Sequence, residues 1–525
     1  MKKVWFIASL FLTVSSFGQV NIIPQPAELQ LPESAGQFVI TPKTPIILQG
    51  SGLENSARFL NEYLKQLYGF TLPITKKAGA VAGIRLNYER LDYKLPGAYK
   101  MEINAKGVYI GGDNETGTFY GVQTLLQLLP VEKATSLPVS YLTIKDYPRF
   151  EYRGLHLDVC RHFFPTSFVK RYIDYIALHK MNYFHWHLTE DQGWRIEIKK
   201  YPNLTKAGAW RDGTVIGRYP GTGNDSMHYG GFYTQKEIKE IVDYAAKRYV
   251  TIIPEIEMPG HASAALTAYP YLGCTGGPYK VQQTWGVFND VFCAGNDSVF
   301  TFLQNVLDEV IPLFPAKYIH IGGDECPKES WKKCPKCQKR MADHKLKDEH
   351  ELQSYFVQRM EKYINSKGKT LIGWDEILEG GLAPNAVVMS WRGEQGGIEA
   401  AKQNHDVIMT PGDFVYLDHS QTKQDDSLTI GGYTPVKEIY GYEPLPKELT
   451  ETEKKHILGA QGNVWTEYMG NINKVEYMIF PRVSALSEVL WSPVDKRNWS
   501  DFESRLQLQC KRYVLWGTNY NKAFE

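Results

Sequence analysis

Residues 318–325 read Tyr-Ile-His-Ile-Gly-Gly-Asp-Glu, a short apolar run that ends in two glycines and two adjacent carboxylates. Such a run is typical of a buried strand of a parallel sheet. Neighbouring residues of a regular strand point to opposite faces, but glycines can relax the backbone at the strand end, so that Asp324 and Glu325 both turn toward one pocket. Two carboxylates so close cannot both ionise cheaply, so one pKa should rise and the other fall. The stretch predicts an acid–base pair, with a helix-capping pair at the rim as the alternative.

The alternation of a short apolar strand with a longer helical segment recurs on both sides of this stretch, beyond Tyr147-Pro148-Arg149. Such alternation favours a parallel sheet, and its extent predicts an α/β fold, a (β/α)8 TIM barrel. We place the strands near Gly154–Val159, Tyr183–His187, Thr251–Ile256, Tyr318–Ile321, Thr370–Gly373, Ala386–Ser390, Val407–Met409 and Ile457–Ala460. We place helices between them, for example at Phe168–His179, Thr234–Arg248, Val299–Leu313 and Leu352–Lys367.

The N-terminal part of the chain has a different organisation. Lys2 and Lys3, an apolar run and a small-residue exit near Gly18 are typical of a secretory signal peptide, with an uncleaved anchor as the alternative. Residues 19–148 combine strand-like runs with helical stretches near Leu53 to Tyr68 and after Thr116, and predict a small α+β domain. We therefore divide the chain into a signal peptide (1–18), an α+β domain (19–148) and a catalytic barrel (149–525).

Composition restricts the partners of the protein. The formal net charge is +1, so no bulk field favours nucleic acid or an anionic membrane. No segment after the signal offers about 20 unbroken apolar residues, so we expect no membrane span after cleavage and a location in the periplasm or outside the cell. Aromatic residues make up 13% of the chain, which suits stacking on sugar rings but also core packing. The oligomeric state stays open, with a homodimer among the options.

Seven cysteines in a chain with an export signal leave at least one thiol unpaired. Cys334-Pro-Lys-Cys337 resembles half of a zinc knuckle, but a second Cys-x-x-Cys is missing, so we favour a loop disulfide within Cys326, Cys334 and Cys337 over a metal site. Cys274 and Cys293 flank a loop rich in proline and glycine, and we predict a disulfide between them.

In such a barrel the active site lies at the C-terminal ends of the strands. Each of these ends could carry a local cap, but a barrel held by packing alone would not need polar or aromatic residues at all eight. The candidate residues, in chain order, are Asp158 with Arg161, His185 to Asp191, Glu255 with Glu257 and His261, Asp324 with Glu325, Trp374 with Asp375 and Glu376, Trp391 with Arg392, Tyr416 with Asp418, and Trp465 with Glu467.

Several of these stretches together resemble glycoside hydrolase family 20, the β-N-acetylhexosaminidases. The resemblance covers nearly all of the chain after the signal, including the small domain that precedes the barrel in this family. The motifs that carry it are Gly322-Gly-Asp-Glu325, Arg153-Gly-Leu-His-Leu-Asp-Val-Cys-Arg161, His185-Trp-His-Leu-Thr-Glu-Asp-Gln-Gly-Trp-Arg195, Pro254-Glu-Ile-Glu-Met-Pro-Gly-His261, Gly373-Trp-Asp-Glu376, Ser390-Trp-Arg-Gly393 and Trp465-Thr-Glu467.

The resemblance implies an exo-acting hydrolase of terminal β-linked N-acetylhexosamine that retains configuration and uses the substrate's acetamido group as nucleophile through an oxazolinium intermediate. Glu325 would act as acid and base, and Asp324 would orient the acetamido group. The implied substrate-binding residues are Arg161, Trp374, Trp391, Tyr416, Asp418, Trp465 and Glu467, with Asp191, His261 and His320 in support. Core packing is the alternative for each tryptophan. The resemblance implies no cofactor and no catalytic metal.

The sequence departs from the family pattern at Glu190, where an aspartate often stands, and in a glycine-rich insertion between Arg211 and Tyr233. This insertion lacks the Lys-Ser/Thr of a phosphate-binding loop.

Two other functions fit parts of the same pattern. His185 and His187 alternate as metal ligands do, and with Asp158, Glu257 and His261 they could serve a metal-dependent amide or ester hydrolase. A sugar-binding barrel without catalysis is the second alternative, and turnover of an aryl N-acetylglucosaminide would exclude it.

Overall fold

The computed structural model describes residues 20–77, 81–424 and 428–524, so the predicted signal peptide lies outside the described residues. The chain begins with a seven-stranded sheet in the order β1-β9-β6-β7-β5-β3-β4, beside a two-stranded β2–β8 ribbon. Two helices, α1 (Glu54–Tyr68) and α2 (Glu115–Leu128), accompany it. The strands are β1 (Glu28–Gln30), β2 (Gln37–Ile40), β3 (Ile46–Gln49), β4 (Ile74–Thr75), β5 (Gly83–Tyr88), β6 (Tyr99–Asn104), β7 (Gly107–Gly112), β8 (Leu137–Ser140) and β9 (Leu142–Asp146).

The following part of the chain forms a closed barrel of eight parallel strands, in which the last strand pairs with the first. Its strands are β10, β11 and β18–β23, while β12–β17 are short pairs in the loops after β11. The bounds are β10 (Tyr152–Asp158), β11 (Tyr183–His187), β12 (Thr189–Glu190), β13 (Gly193–Trp194), β14 (Trp210–Asp212), β15 (Val215–Ile216), β16 (Gly223–Asn224), β17 (His228–Gly230), β18 (Thr251–Glu255), β19 (Tyr318–His320), β20 (Thr370–Trp374), β21 (Val387–Ser390), β22 (Val407–Met409) and β23 (Ile457–Gly462). The predicted fold class is therefore confirmed, and each of the eight predicted strands overlaps an observed one.

Helices connect the barrel strands. They are amphipathic where they cover the barrel; α5, for example, buries Ile238, Ile241, Val242 and Ala245 and begins with a capping box at Thr234. The helices are α3 (Thr166–Leu178), α4 (Asn203–Lys206), α5 (Gln235–Ala246), α6 (Ser263–Ala268), α7 (Asp297–Val310), α8 (Glu329–Lys333), α9 (Pro335–His344), α10 (Glu349–Ser366), α11 (Gln395–Lys402), α12 (Gly412–Val415), α13 (Val436–Gly441), α14 (Ile472–Ile479), α15 (Arg482–Trp491) and α16 (Trp499–Trp516). Among the described residues no helix combines the length and the apolar character that crossing a bilayer requires.

A buried polar cluster joins the N-terminal sheet to the barrel. Asp146, at the end of β9, accepts hydrogen bonds from Lys180 Nζ (2.8 Å), Tyr99 Oη (2.7 Å) and Trp491 Nε1 (2.9 Å). Both the lysine and the aspartate side chains are fully buried, and such a pair is retained only where its hydrogen bonds are satisfied.

The predicted disulfides are wrong. Cys274 and Cys293 are not bonded to each other, and neither is any pair within Cys326, Cys334 and Cys337. The loops that carry Cys274, Cys293, Cys334 and Cys337 instead converge on one cluster, in which the resolved sulfur–sulfur distances are 3.6–3.9 Å. A disulfide needs about 2.05 Å. Cys326 lies outside this cluster, because its sulfur faces the carbonyl of Pro327.

Candidate active site

A cavity of about 530 Å³ opens at the C-terminal ends of the barrel strands, within the size range of ligand pockets. All nine residues predicted to act on or bind the substrate line it: Arg161, Asp324, Glu325, Trp374, Trp391, Tyr416, Asp418, Trp465 and Glu467. His261 lines it as well, whereas Asp191 and His320 lie behind its wall. The strand ends thus bring together side chains that are up to 306 positions apart in sequence, from Arg161 to Glu467.

The backbone after β19 turns both carboxylates into this cavity. Gly322 and Gly323 have φ values of +69° and +91°, and Glu325 itself has a φ of +42°. A β-carbon on Gly322 would lie 1.8 Å from Oε2 of Glu257, so only glycine fits there. The strand ends at His320, one residue before the predicted end at Ile321, and the next four residues redirect the chain.

His261, at the end of the segment that follows β18, stands between two pairs of carboxylates. Its Nδ1 lies 2.7 Å from Glu190 Oε1 and 3.0 Å from Asp191 Oδ2, while its Nε2 lies 3.6 Å from both Asp324 Oδ2 and Glu325 Oε2. Burial would lower the pKa of His261, but the charges of Glu190 and Asp324 and the hydrogen bonds to Asp191 and Asp324 raise it well above its usual value. His261 is therefore biased toward its cationic form, and it lies between Glu190 and Asp191 on one side and Asp324 and Glu325 on the other.

The carboxyl groups around the cavity differ in the direction of their pKa shifts and in their hydrogen-bond partners. Burial, followed by the charge of Asp324, raises the pKa of Glu325. The same two causes raise the pKa of Glu376 to about 8 and that of Glu257 well above its usual value. Oδ1 of Asp324 is buried and has no hydrogen-bond partner among the described residues. Asp324 thus presents an unsatisfied acceptor to the cavity, while Glu325 is biased toward its protonated form.

Aromatic side chains form the walls of the cavity. Trp374 and Trp465 meet at a ring-centroid distance of 5.8 Å, and Trp391 stacks near Tyr416 at 6.2 Å. Their polar atoms are held from behind, since Trp374 Nε1 donates to Glu255 Oε1 and Trp391 Nε1 donates to Glu376 Oε2, both at 2.9 Å. The rings of Trp374 and Trp391 therefore have fixed orientations, as a tight apolar subsite requires.

A polar region of the cavity contains Arg161, Asp418 and Glu467. Arg161 is held by Gln192 Oε1 (3.1 Å) and Glu190 Oε2 (3.3 Å). Burial and the charge of Glu467 raise the pKa of Asp418 to about 8, and burial also raises that of Glu467. Asp418 Oδ1 and Glu467 Oε2 are buried without a partner in the described part of the chain. Buried acceptors beside an arginine suit a ligand with several hydroxyl groups.

A buried cluster of histidines supports the site from below. Glu255 lies 3.0 Å from His185 Nε2 and 2.9 Å from His320 Nδ1, and it also contacts His187 Nδ1. His320 Nδ1 also accepts a hydrogen bond from the Gly322 amide (3.0 Å), in the turn that leads to Asp324 and Glu325. His320 thus contacts that turn, and it also backs Trp374 through their shared contact with Glu255. Burial would lower the pKa of His187, but Glu255 and Glu190 raise it to about 10. Both of its nitrogens face carboxylates, as expected for a doubly protonated imidazolium.

Several residues that contribute to the site had no role assigned to them from the sequence. Glu190 holds both Arg161 and His261, although the sequence indicated only a local departure there. Glu376 holds Trp391, and only its position beside Trp374 at a strand end pointed to it. The remaining unpredicted residues come from loops that have no motif: Arg218 and Tyr219 of the glycine-rich insertion, Trp285, His419, Ile430 and Tyr468.

Paired carboxylates within aromatic walls at the strand ends of a barrel are typical of proteins that act on or bind carbohydrates. Comparison with known proteins identifies the family of the chain. Residues 150–494 match the model of "Glycosyl hydrolase family 20, catalytic domain" and residues 19–147 match "Glycosyl hydrolase family 20, domain 2". The chain belongs to glycosyl hydrolase family 20, and the predicted family is confirmed.

Individual relatives agree with this assignment. A "Beta-hexosaminidase" of Porphyromonas gingivalis is 50% identical over 513 residues, which cover 96% of this chain and 64% of that relative. This chain thus spans less than two thirds of the length of that relative. A GH20 exo-β-N-acetylglucosaminidase of Vibrio harveyi, solved with N-acetylglucosamine, superposes with a TM-score of 0.86 at 34% identity, covering 96% of this chain and 79% of that one. A β-N-acetylhexosaminidase of Bacteroides fragilis superposes with a TM-score of 0.81 at 32% identity, covering 96% and 97%.

Proposed function

We propose that the protein is an exported β-N-acetylhexosaminidase that removes terminal β-linked N-acetylglucosamine or N-acetylgalactosamine from the non-reducing ends of glycans. One observation carries this proposal. Asp324 presents a buried, unsatisfied oxygen to an aromatic-walled cavity, directly beside a carboxyl group with a raised pKa. The name of the Porphyromonas gingivalis relative and the ligand of the Vibrio harveyi structure support the same substrate class.

In the proposed reaction Glu325 protonates the glycosidic oxygen and later removes a proton from water. Its raised pKa keeps it protonated closer to neutral pH than an ordinary glutamate, and His261 fixes its position. Its side chain is 39% exposed, which gives the leaving group and the attacking water access.

The nucleophile in this proposal is the carbonyl oxygen of the substrate's 2-acetamido group, which attacks the anomeric carbon and forms an oxazolinium ion with retention of configuration. Asp324 accepts the amide N–H and stabilises the positive charge that develops there. Trp374, Trp391 and Trp465 confine the acetamido methyl group and the sugar ring, so the amide stays in its attacking geometry. The Tyr416 hydroxyl holds the carbonyl oxygen.

Exo action is supported by the polar region of the cavity. Asp418 Oδ1 and Glu467 Oε2 are unpartnered in the described residues, and Arg161 lies beside them with only 7% exposure. We infer that these groups bind the hydroxyls of one terminal sugar. A ring bound at this depth continues the glycan only through its anomeric oxygen.

The decisive experiment varies the acetamido group. On aryl glycosides we expect kcat/KM to fall steeply from N-acetyl through N-fluoroacetyl to N-trifluoroacetyl, because each fluorine weakens the carbonyl nucleophile. The matching glucoside should be inert. A flat series together with a trappable glycosyl-enzyme ester on Glu257 or Glu467 would exclude substrate assistance and leave an ordinary retaining glycosidase. Absence of turnover on every aryl N-acetylhexosaminide would favour a sugar-binding protein instead.

A further inference from the structure

Four cysteines from three separate segments meet on the outside of the cavity wall. Cys274 follows the short 3-10 helix Pro270–Leu272, and Cys293 lies at the other end of the same loop. Cys334 and Cys337 lie at the start of α9. Cys293 Sγ lies 3.6 Å from the sulfurs of both Cys334 and Cys337, Cys274 Sγ lies 3.9 Å from that of Cys337, and all four sulfurs lie within 4.8 Å of one another.

These distances match a tetrahedral metal site. A zinc ion binds thiolates at about 2.3 Å, so the sulfurs at the corners of its tetrahedron stand about 3.8 Å apart. A disulfide would bring two of them to about 2.05 Å. The three separations of 3.6–3.9 Å agree with the zinc geometry and not with a disulfide.

The backbone around the cluster is shaped for this convergence. A β-carbon on Gly295 would lie 2.2 Å from the carbonyl carbon of Lys336 and 2.4 Å from the amide of Cys337, so only glycine lets the two segments approach. The Gly295 amide also donates a hydrogen bond to the Cys293 sulfur. Cys334 is the N-cap of α9, with Pro335 at its first position, and a helix N-terminus stabilises thiolates.

The burial of the cluster points to a cation. Cys293, Cys334 and Cys337 are buried, so four bare thiolates could not coexist there. A divalent ion would compensate them as each thiol gives up its proton.

We infer that Cys274, Cys293, Cys334 and Cys337 bind one structural zinc ion. Four protein ligands leave no open coordination position, so the ion has no catalytic role of its own. It would close the loop between Cys274 and Cys293, whose Trp285, Gly286 and Val287 line the cavity, and attach that loop to the segment that follows Glu325. The zinc ion would therefore stabilise the wall of the cavity and would not contact the reacting atoms.

The test measures metal directly and does not depend on the enzymatic activity. The full chain is exported to a bacterial periplasm, purified without chelators and analysed by elemental mass spectrometry and intact mass. We expect about one zinc per chain, lost in Cys334→Ser/Cys337→Ser and retained in Cys510→Ala, a cysteine in α16 away from the cluster. Reconstitution of the reduced, metal-free protein with cobalt should give the absorption bands of a tetrahedral tetrathiolate site.

Three results would overturn the inference. The first is a metal-free protein whose mass lacks four hydrogens, which would show two disulfides. The second is zinc retained in the double variant, and the third is iron in place of zinc. If the double variant does not fold, Cys274→Ser replaces it, since Cys274 is only partly buried, and it should weaken zinc binding more than about 100-fold in chelator competition. Loss of zinc should raise KM for an aryl N-acetylglucosaminide up to about tenfold and change kcat less than about threefold, because only the cavity wall loosens.

Discussion

Asp324→Asn is the substitution that best tests the proposed chemistry, because it keeps the shape of the side chain and removes only its charge. Asp324 is 9% exposed, its Oδ2 lies 3.6 Å from His261 Nε2, and its Oδ1 is unpartnered in the described residues. An asparagine fits the same space. His261 keeps its contacts with Glu190 and Asp191, so we expect the fold to be retained.

Two effects of known sign follow from the geometry. Loss of one preorganised group that stabilises transition-state charge costs about 10²- to 10³-fold in kcat, equivalent to about 3–4 kcal/mol. The charge of Asp324 also raises the pKa of Glu325, so its removal lowers that pKa. Because Glu325 must be protonated to act as the acid, the activity of the variant should be lost at a lower pH, with a shift on the order of one pH unit.

The assay is the pH dependence of kcat/KM on an aryl N-acetylglucosaminide, measured for the wild type, Asp324→Asn and the matched control Glu376→Gln. The pKa of Glu376 is about 8, so it is largely protonated at pH 7, and glutamine keeps the acceptor for Trp391. We expect the control to stay within about threefold of wild type at pH 7. The reasoning is refuted if Asp324→Asn loses less than about tenfold, or if its alkaline limb does not move to lower pH.

Three further predictions rest on the same site. Glu325→Gln should abolish hydrolysis of glycosides with poor leaving groups but spare activated aryl glycosides, because an acidic phenol needs little protonation; equal losses would count against Glu325 as the acid. Arg161→Ala and Glu467→Ala should each weaken transition-state binding, measured from kcat/KM, by about 2–4 kcal/mol, because buried polar partners are left unpaired. Wild-type kcat/KM in both variants would contradict the terminal-sugar site. Glu255→Gln should lower the free energy of unfolding by about 3–5 kcal/mol near pH 7. The charges of its neighbouring histidines hold the pKa of Glu255 well below its usual value despite burial, and the pKa of His187 is raised to about 10. The contribution of the pair is full between the ordinary pKa values of the two groups, 4.5 for Glu255 and 6.5 for His187. Urea denaturation should show the loss shrink as pH rises from 6.5 through 10 or falls well below 4.5; a pH-independent loss would refute the ion pair.

The barrel strands were predictable because each is a short apolar run. The turn that directs the two carboxylates into the cavity was predictable from Gly322 and Gly323. The cysteine cluster was not predictable in the same way. Cys334 and Cys337 have the spacing of a metal site, but their partners are separated by a loop of 18 residues, from 275 to 292, and only its fold brings the ends together. Spacing within one segment is a local property, whereas the closure of a loop depends on packing elsewhere.

The role of His320 shows the same limit. The family resemblance implied support for the acid–base pair, and His320 does contact the Gly322 amide in the turn before that pair. The sequence did not show that His320 also meets Glu255 and Trp374. Glu190 was treated as a variation of local packing, yet its second methylene places the carboxylate between Arg161 and His261. The residue types at the strand ends were visible in the sequence, but the partner that each one contacts depends on the neighbouring strand.

The left-handed backbone at His261 and Glu325 connects these observations to catalysis. Their φ values are +46° and +42°, a conformation that costs a non-glycine residue about 1 kcal/mol or more and persists only where the surroundings enforce it. The two residues end neighbouring segments and meet each other, with His261 Nε2 3.6 Å from Glu325 Oε2. Gly260 lets these segments approach, since a β-carbon there would lie 3.0 Å from the carbonyl oxygen of Asp324. The strain is therefore shared across one contact, and the four carboxylates around the His261 cation supply the attraction that offsets it.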